Sequence, residues 1–317
     1  MKLSNIIGAF TTAKTTKTQP ATLEWYGYQF TAFEKWLRVK GYGEDLPLEP
    51  EIIDAFLAHE TKVLKPSSVH GRWRALKALY NWLVDRRKLA RDDNPMDSIE
   101  EPSIPDTEPR HTVFDEFKQL LDSIPQISWV DARDRLAITS FFLTGLRVSE
   151  LVGLRLQDYD TRGSIIRIVR QKGGDGNFVP MLPAVSDAFI TYIYSRPEAN
   201  SEYVFVSSDG AGNVRTRVDG NGKTITQVLT RSGMYQRLRD LSERAGIERV
   251  NPHAFRHGLA MHLQNIEGAP TSLIQGILRH KDERTTRTRY ARWNPNGISM
   301  QFDEKMGKVD ALLRKKR

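Results

Sequence analysis

The stretch Thr144-Gly145-Leu146-Arg147-Val148-Ser149-Glu150-Leu151 places an arginine at the start of a short apolar helix. Before it, the stretch from Trp129 to Leu143 predicts a longer helix that ends at the Thr144–Gly145 pair. Cations are normally favoured at the opposite end of a helix, because the N-terminus carries partial positive charge. We therefore expect Arg147 to have an anionic partner, either Glu150 in a structural ion pair or a bound anion.

Two later clusters also bring cations and proton carriers together. The first is Pro252-His253-Ala254-Phe255-Arg256-His257, in which His253 and Arg256 share one helical face near a helix N-terminus that suits an anion. The second is Leu278-Arg279-His280, which is followed by Tyr290. Each residue alone has an ordinary explanation, such as an ion pair, a hydrogen-bonded core histidine or a half-buried tyrosine.

The composition narrows the class of protein. The chain has 317 residues, enough for two domains, and its formal net charge of +8 favours a polyanionic partner. It contains no cysteine, which excludes disulfides, thiol catalysis and thiolate metal sites. Because no stretch approaches the roughly 18 apolar residues of a membrane span, we expect a protein of the cytoplasm that does not contact a membrane.

The N-terminal part predicts a helical domain. Residues 1–18 are rich in Thr and Lys, and we interpret them as a flexible leader, with structure starting near Gln19. Residues 19–92 then predict a small bundle of amphipathic helices. Three cations lie on a basic flank of its third helix and are candidate DNA-binding residues: Arg72, Arg74 and Lys77.

The second half predicts a larger domain that is mainly helical. Residues 93–110 are rich in proline, Asp and Glu and predict a linker, followed by a domain over 111–300 and a C-terminal helix or tail over 301–317. Residues 164–182 have the Ile/Val content of two strands around a glycine-rich turn. We therefore predict a mainly α fold with a small β-sheet in the C-terminal domain. A glycine-rich stretch over 209–224, which we interpret as a surface loop or an irregular hairpin, contributes two further candidate DNA-binding residues, Arg215 and Arg217.

Together the unusual residues form a set for phosphoryl transfer. Arginine forks can neutralise the nonbridging oxygens of a pentacoordinate phosphate, and histidines can donate hydrogen bonds to it. Lys172, which lies next to Gly173 and Gly174, adds a proton donor. Tyr290 adds a nucleophile that can form a phosphoester. No phosphate-binding glycine loop and no carboxylate cluster with metal spacing is present, so we predict no metal and no other cofactor.

These residues resemble the tyrosine recombinases, the phage integrase family, from about residue 20 to residue 292. The stretch 144–151 resembles the first arginine box of the family, 252–257 its His-x-x-Arg box, and 278–280 with Tyr290 its terminal box. The order and wide spacing of the three boxes also agree.

The resemblance implies a role for each residue. Arg147 and Arg256 would clamp the scissile phosphate, while His253 and His280 hydrogen-bond it or assist proton transfer. Lys172 would be the general acid for the 5′-hydroxyl leaving group.

The nucleophile follows from the terminal box. Tyr290 would attack and leave a 3′-phosphotyrosyl link, with Glu150 and His257 as supporting residues. Two features depart from the family pattern. Arg279 stands where the family usually has glycine, and Tyr290 follows His280 by ten residues, about one more than is common.

The resemblance also implies an architecture and partners. A helical core-binding domain and a catalytic domain would close as a C-shaped clamp around double-stranded DNA. Four protomers would act together, with accessory DNA-bending proteins as further partners and the nucleoid as the place of action. The C-terminal residues Val309, Leu312 and Leu313 would dock on a neighbouring copy or pack on their own domain.

Three functions are compatible with this set of residues. The leading one is site-specific recombination of DNA by integration, excision or resolution. The second is cleavage and religation with a topoisomerase-like outcome, which uses the same residues. The third is DNA binding by a chain that kept the fold without the chemistry, although a pure binder would not need Lys172 and Tyr290.

Overall fold

The computed structural model describes residues 1–105, 110–168, 177–265, 269–279 and 295–314. The chain divides into two compact units, Met1–Glu108 and Pro109–Arg317. Each unit has its own apolar core. Within the described residues, no helix combines the length and the apolar character needed to cross a membrane.

The first unit is a bundle of four α-helices. Proline occupies the first position of three of them, where its fixed φ angle suits a helix start and its missing N–H is not needed. Gly41 ends the second helix in the left-handed conformation, with φ of 74°. The helices are α1 (Leu3–Thr15), α2 (Pro20–Lys40), α3 (Pro50–Thr61) and α4 (Pro66–Asp85).

The N-terminal segment forms helix α1, so the prediction of a flexible leader over residues 1–18 is wrong. Leu3, Ile6 and Phe10 lie on one face of this helix and are buried against α2 and α4. The Phe10 ring packs edge-on against Trp82, with 5.6 Å between ring centroids. The Thr- and Lys-rich residues that suggested disorder are the solvent side of an amphipathic helix.

Part of the predicted linker over residues 93–110 also belongs to the first unit. Met96 and Ile99 are buried in its core, next to a 3₁₀ turn over Pro95–Asp97. The indole N–H of Trp73 donates a hydrogen bond of 3.4 Å to the carbonyl of Ile99. This proline-rich segment therefore packs on the bundle, because the apolar side chains between its prolines are buried in the core of the first unit.

The second unit is built around helix α6, whose side chains are buried on nearly every side. The predicted mainly α fold with small sheets is confirmed. Its helices are α5 (Phe114–Ser123), α6 (Trp129–Thr144), α7 (Val148–Val152), α8 (Pro183–Ser195), α9 (Arg231–Ala245), α10 (Pro252–Asn265), α11 (Thr271–Leu278) and α12 (Pro295–Arg314).

Two small antiparallel sheets complete the second unit. Strands β1 (Tyr159–Asp160), β2 (Ile165–Ile168) and β3 (Asn177–Pro180) form the first, and β4 (Thr216–Val218) with β5 (Thr224–Thr226) form the second. The predicted hairpin is confirmed in the pairing of β2 with β3. Residues 169–176, which connect these two strands in the sequence and include Lys172, lie outside the described part of the chain.

Two glycines allow α10 to sit close to its neighbours. A Cβ atom on Gly258 would lie 2.0 Å from the carbonyl oxygen of Thr112, whose backbone N–H donates to Ala254 on the same helix. Gly145 ends α6 with φ of 60°, and a Cβ atom there would lie 2.9 Å from Leu278. These contacts fix α10, the helix that carries the His-x-x-Arg box, against the end of α6.

Candidate active site

Arg147 lies at the junction of α6 and α7 and is held by Glu150. Its backbone N–H donates to Oε2 of Glu150 at 2.8 Å, and its Nη1 donates to Oε1 at 2.9 Å. The side chain of Arg147 remains one-third exposed. The expected anionic partner is therefore Glu150, and the carboxylate caps α7 in the same contact.

Arg256 on α10 is almost completely buried beside this pair. Its Nη1 donates a hydrogen bond of 2.6 Å to the carbonyl of Gly145, while Nη2 has no hydrogen-bond partner among the residues that the structure describes. Burial, together with the positive charges of Arg147 and Arg279, lowers the pKa of Arg256 to about 9. A buried cation with an open donor and two cationic neighbours is suited to receive an anion.

Two histidines of α10 lie one helical turn apart on its exposed side. His253 faces the same cleft as Arg147. Burial, followed by the neighbouring His253 and Arg256, holds the pKa of His257 below its ordinary value. The lowered pKa favours the neutral imidazole, which can donate a hydrogen bond through one ring nitrogen and accept one through the other.

The cleft beside Arg147 and His253 has a volume of about 570 Å³ and opens at the start of α9. Thr230 caps this helix by accepting the N–H of Gly233. The α9 side chains that line the cleft were not predicted from sequence: Arg231, Ser232 and Tyr235. The sequence contained a signal for Arg231, because this basic residue follows the capping Thr230 in the first helical turn, where an acidic residue is favoured.

Arg279 completes the charged cluster, although it stands where the resemblance predicted glycine. It follows α11 in the left-handed conformation, with φ of 52° and ψ of 49°, which costs a non-glycine residue about 1 kcal/mol. Its Nη2 donates to Oε2 of Glu150 at 2.7 Å, and its carbonyl accepts Nη2 of Arg147 at 3.3 Å.

The carboxylate of Glu150 is thus shared between two arginines. Burial raises its pKa, but the charge of Arg279 and the N–H groups of Arg147 outweigh that effect, and the pKa lies below its ordinary value. With Arg256 included, three guanidinium groups face one carboxylate. This cluster of guanidinium groups is suited to the negative charge that develops on a phosphate.

The candidate DNA-binding residues of the first unit have different surroundings. Arg72 is mostly buried, and it donates to Oε2 of Glu60 and Oε1 of Gln29, both at 2.8 Å. Arg74 is exposed beside the ring of Trp25, and Lys77 is half-buried with its ammonium 4.3 Å from the centroid of a tryptophan ring. Arg72 therefore joins three helices, whereas the other two cations reach the surface.

The candidate residues of the second unit lie at strand β4, with Arg217 inside the strand and Arg215 immediately before it. Arg215 and Arg217 are both exposed, two residues apart, so their side chains leave the same face of the ladder. The turn before this strand is held to α6, because the indole N–H of Trp129 donates to the carbonyl of Gly212 at 2.7 Å. Of the two forms predicted for 209–224, the structure has the irregular hairpin, formed by the pairing of β4 with β5.

The structure brings together Arg147, Glu150, His253, Arg256 and His257. Three other predicted residues lie outside the described part of the chain: Lys172, His280 and Tyr290.

Comparison with known proteins identifies the family. Residues 111–296 match the model of the phage integrase family. The tyrosine recombinase XerD of Shewanella oneidensis is 30% identical over 268 residues, which cover 84% of each chain. The XerD of Listeria innocua is 28% identical over 247 residues, covering 75% of this chain and 76% of that one.

Solved structures show the same fold. The integrase of transposon Tn1549, in complex with transposon right end DNA, superposes with a TM-score of 0.69 at 19% identity. That match covers 98% of this chain and 99% of the other. From its matched domain, which covers more than half of its length, and from its full-length relatives, this chain belongs to the phage integrase family of tyrosine recombinases.

Proposed function

We propose a division of roles in the site-specific DNA recombination that this tyrosine recombinase carries out. Arg147 and Arg256 bind the two nonbridging oxygens of the scissile phosphate. The observation that carries this assignment is the buried Arg256, whose Nη2 lacks a protein partner within the described residues although Arg147 adds a second cation nearby. Such a donor stabilises the charge that develops on the phosphate in the transition state.

Cleavage is a transesterification. The phenolic oxygen of Tyr290 forms a bond to phosphorus as the bond from phosphorus to the 5′ oxygen breaks, leaving a 3′-phosphotyrosyl link. Lys172 gives a proton to the departing 5′ oxygen. The phenolic proton of Tyr290 passes to a nearby proton-accepting side chain. His253 and His280 hydrogen-bond the phosphate, while Glu150 and His257 support the arginines and the imidazole. The energy of the phosphodiester is kept in the phosphotyrosyl ester. A 5′-hydroxyl of another DNA strand can therefore attack this ester and restore a phosphodiester by the reverse reaction.

The remaining cations bind the DNA backbone. Arg231 and Ser232 at the start of α9 lie in the cleft of Arg147 and His253, which supports a contact to a phosphate beside the scissile one. Cations that reach the surface of each unit bind further phosphates of the duplex: Arg74, Lys77, Arg215 and Arg217. Arg72, by contrast, acts as a structural link between helices, because its Nε and Nη1 donate to Glu60 and Gln29 of the same unit.

Recombination needs two DNA sites, and we assign four copies of the chain to the complex that pairs them. Double-stranded DNA is the partner, and accessory DNA-bending proteins would act by shaping it. A protein with this substrate works in the cytoplasm, at the nucleoid.

The test is covalent capture on DNA. A duplex that carries the recombination site and a nick next to the scissile phosphate loses a short fragment after cleavage, so the attached protein stays trapped. We expect a 3′-linked adduct on a denaturing gel with the unmodified chain and none with Tyr290→Phe, which still binds the duplex. Tyr203→Phe is a matched control and forms the adduct at the normal level.

Two outcomes would contradict the proposal. An undiminished adduct with Tyr290→Phe would move the nucleophile elsewhere. A chain that binds the site without forming any adduct would be a DNA-binding protein without the chemistry. Paired sites in the same reaction separate recombination from simple religation, because only recombination yields products with exchanged flanks.

A further inference from the structure

Arg279 combines two features that oppose each other. Its backbone is left-handed, a conformation that glycine adopts without strain and other residues adopt at a cost. Glycine would therefore form the same helix end more easily. Yet the position carries a long cationic side chain that is 5% exposed.

The side chain of Arg279 reaches into the candidate active site. Its Nη2 donates to Oε2 of Glu150 at 2.7 Å, and its Nη1 donates to the carbonyl of Ile277 at 2.8 Å. Both donors are thus oriented by fixed acceptors. The same Oε2 atom also accepts the backbone N–H of Arg147.

Glu150 has opposite effects on Arg147. The carboxylate orients the arginine through two hydrogen bonds, but its negative charge also cancels the cation that should face a phosphate. Arg279 offsets that charge from the other side. In addition, the carbonyl of Arg279 accepts Nη2 of Arg147 at 3.3 Å, so one residue contacts both members of the pair.

We propose that Arg279 is a positioning residue for DNA cleavage, which neutralises Glu150 so that Arg147 is oriented by the carboxylate and still presents its positive charge to the scissile phosphate. This inference rests on the proposed function, in which Arg147 binds that phosphate. In this proposal Arg279, which is buried, acts through its contacts to Glu150 and Arg147 and not by binding the phosphate itself.

The decisive variant is Arg279→Gly, which removes the guanidinium, keeps the backbone carbonyl and relieves the left-handed strain. On the nicked duplex, with protein in excess over DNA, we expect its cleavage rate constant to fall by about 10- to 100-fold. The reason is that a small displacement of a catalytic group such as Arg147 slows the reaction by this order. We expect the midpoint of thermal unfolding to stay equal or rise and the dissociation constant for the duplex to change by less than about threefold. A purely structural role would instead lower the unfolding midpoint.

A double-mutant cycle tests whether Arg279 acts through Glu150. In a Glu150→Gln background no carboxylate charge remains to be neutralised, so Arg279→Gly should slow cleavage further by less than about threefold. An equal effect of Arg279→Gly in both backgrounds would overturn the proposal. Arg279→Lys keeps the charge and should cleave within about fivefold of the unmodified chain. A Lys variant as slow as the Gly variant would also overturn it.

The unmodified chain distinguishes a failure of the proposed function from a failure of the role proposed for Arg279. If it forms no adduct on the nicked duplex, the proposed function fails. If it forms the adduct and Arg279→Gly cleaves at the same rate, the proposed function stands and only the role of Arg279 is wrong.

Discussion

Nη1 of Arg256 donates a hydrogen bond of 2.6 Å to the carbonyl oxygen of Gly145. This bond joins the His-x-x-Arg helix to the end of α6, two residues before Arg147. The two arginines, 109 positions apart in the chain, are therefore held by one backbone turn. Any change that moves the turn should move both arginines together.

Arg256→Met should separate stability from activity. Methionine keeps much of the side-chain volume but removes a buried cation that is repelled by Arg147 and Arg279. We expect the midpoint of thermal unfolding to stay equal or rise, while cleavage of the nicked duplex falls by about 10²- to 10³-fold. Cleavage near the normal rate would exclude Arg256 from phosphate binding.

Gly145→Ala should impair both properties. Alanine is strained at φ of 60°, and its Cβ atom would lie 2.9 Å from Leu278 and 3.2 Å from Leu259. We expect the free energy of unfolding of the second unit to fall by at least about 1 kcal/mol, with slower cleavage because the carbonyl that holds Arg256 shifts. Gly246→Ala is a matched control, since its φ is 65° but no atom lies near the added Cβ. It should lose stability without a specific loss of cleavage.

Arg231→Ala should weaken DNA binding more than it slows cleavage of bound DNA. Arg231 lies at the start of α9, in the cleft of Arg147 and His253. Removing one phosphate contact should reduce the slope of log affinity against log salt by about 1, as measured by fluorescence anisotropy. Arg239→Ala, further along α9 and away from the cleft, serves as the control. An unchanged slope would place the DNA elsewhere.

Arg74→Ala and Arg72→Ala should differ although the residues are two positions apart. Arg74 is exposed, so its loss should lower DNA affinity and its salt dependence and leave stability unchanged. Arg72 pairs with Glu60, whose side chain is 11% exposed, so its loss should reduce the free energy of unfolding of the first unit. The reverse pattern would show that Arg72 is the DNA contact.

Phe10→Ala tests the N-terminal helix. Phe10 is fully buried, so we expect the first unit to lose about 3–5 kcal/mol of its free energy of unfolding. Hydrogen exchange of the α4 amides in the full chain measures this loss, and Lys17→Ala on the exposed end is the control. Exchange at the normal rate in Phe10→Ala would mean that α1 does not stabilise the bundle.

The helices of this protein follow directly from local sequence patterns. Apolar spacing over residues 19–92 predicted the bundle that contains α2, α3 and α4, and Gly145 marked the end of α6. The prediction that failed, a flexible leader over residues 1–18, also rested on a local pattern. Residues 1–18 were judged by their Thr and Lys content, although Leu3, Ile6 and Phe10 already had helical spacing.

The candidate active site was predictable in part. Arg147, His253 and Arg256 were recognised from the order and chemistry of their boxes, because a phosphate site needs those side chains and each box has a distinctive sequence. Arg279 was noted only as a departure from a pattern, and Arg231 was missed altogether. Arg279 has no local signal that distinguishes it from an ordinary surface cation, and the only local signal of Arg231 is its unfavourable place in the first turn of a helix.

The sequence by itself determined the family, the helical class and the chemical types of the residues that serve the reaction. Only the tertiary structure decided which charges meet. It buried Arg256 against Gly145, shared Glu150 between Arg147 and Arg279, and used the donors of Arg72 within the first unit. The physical reason is that pairing, burial and the resulting excess of positive charge depend on contacts between residues far apart in the chain, which no local pattern records.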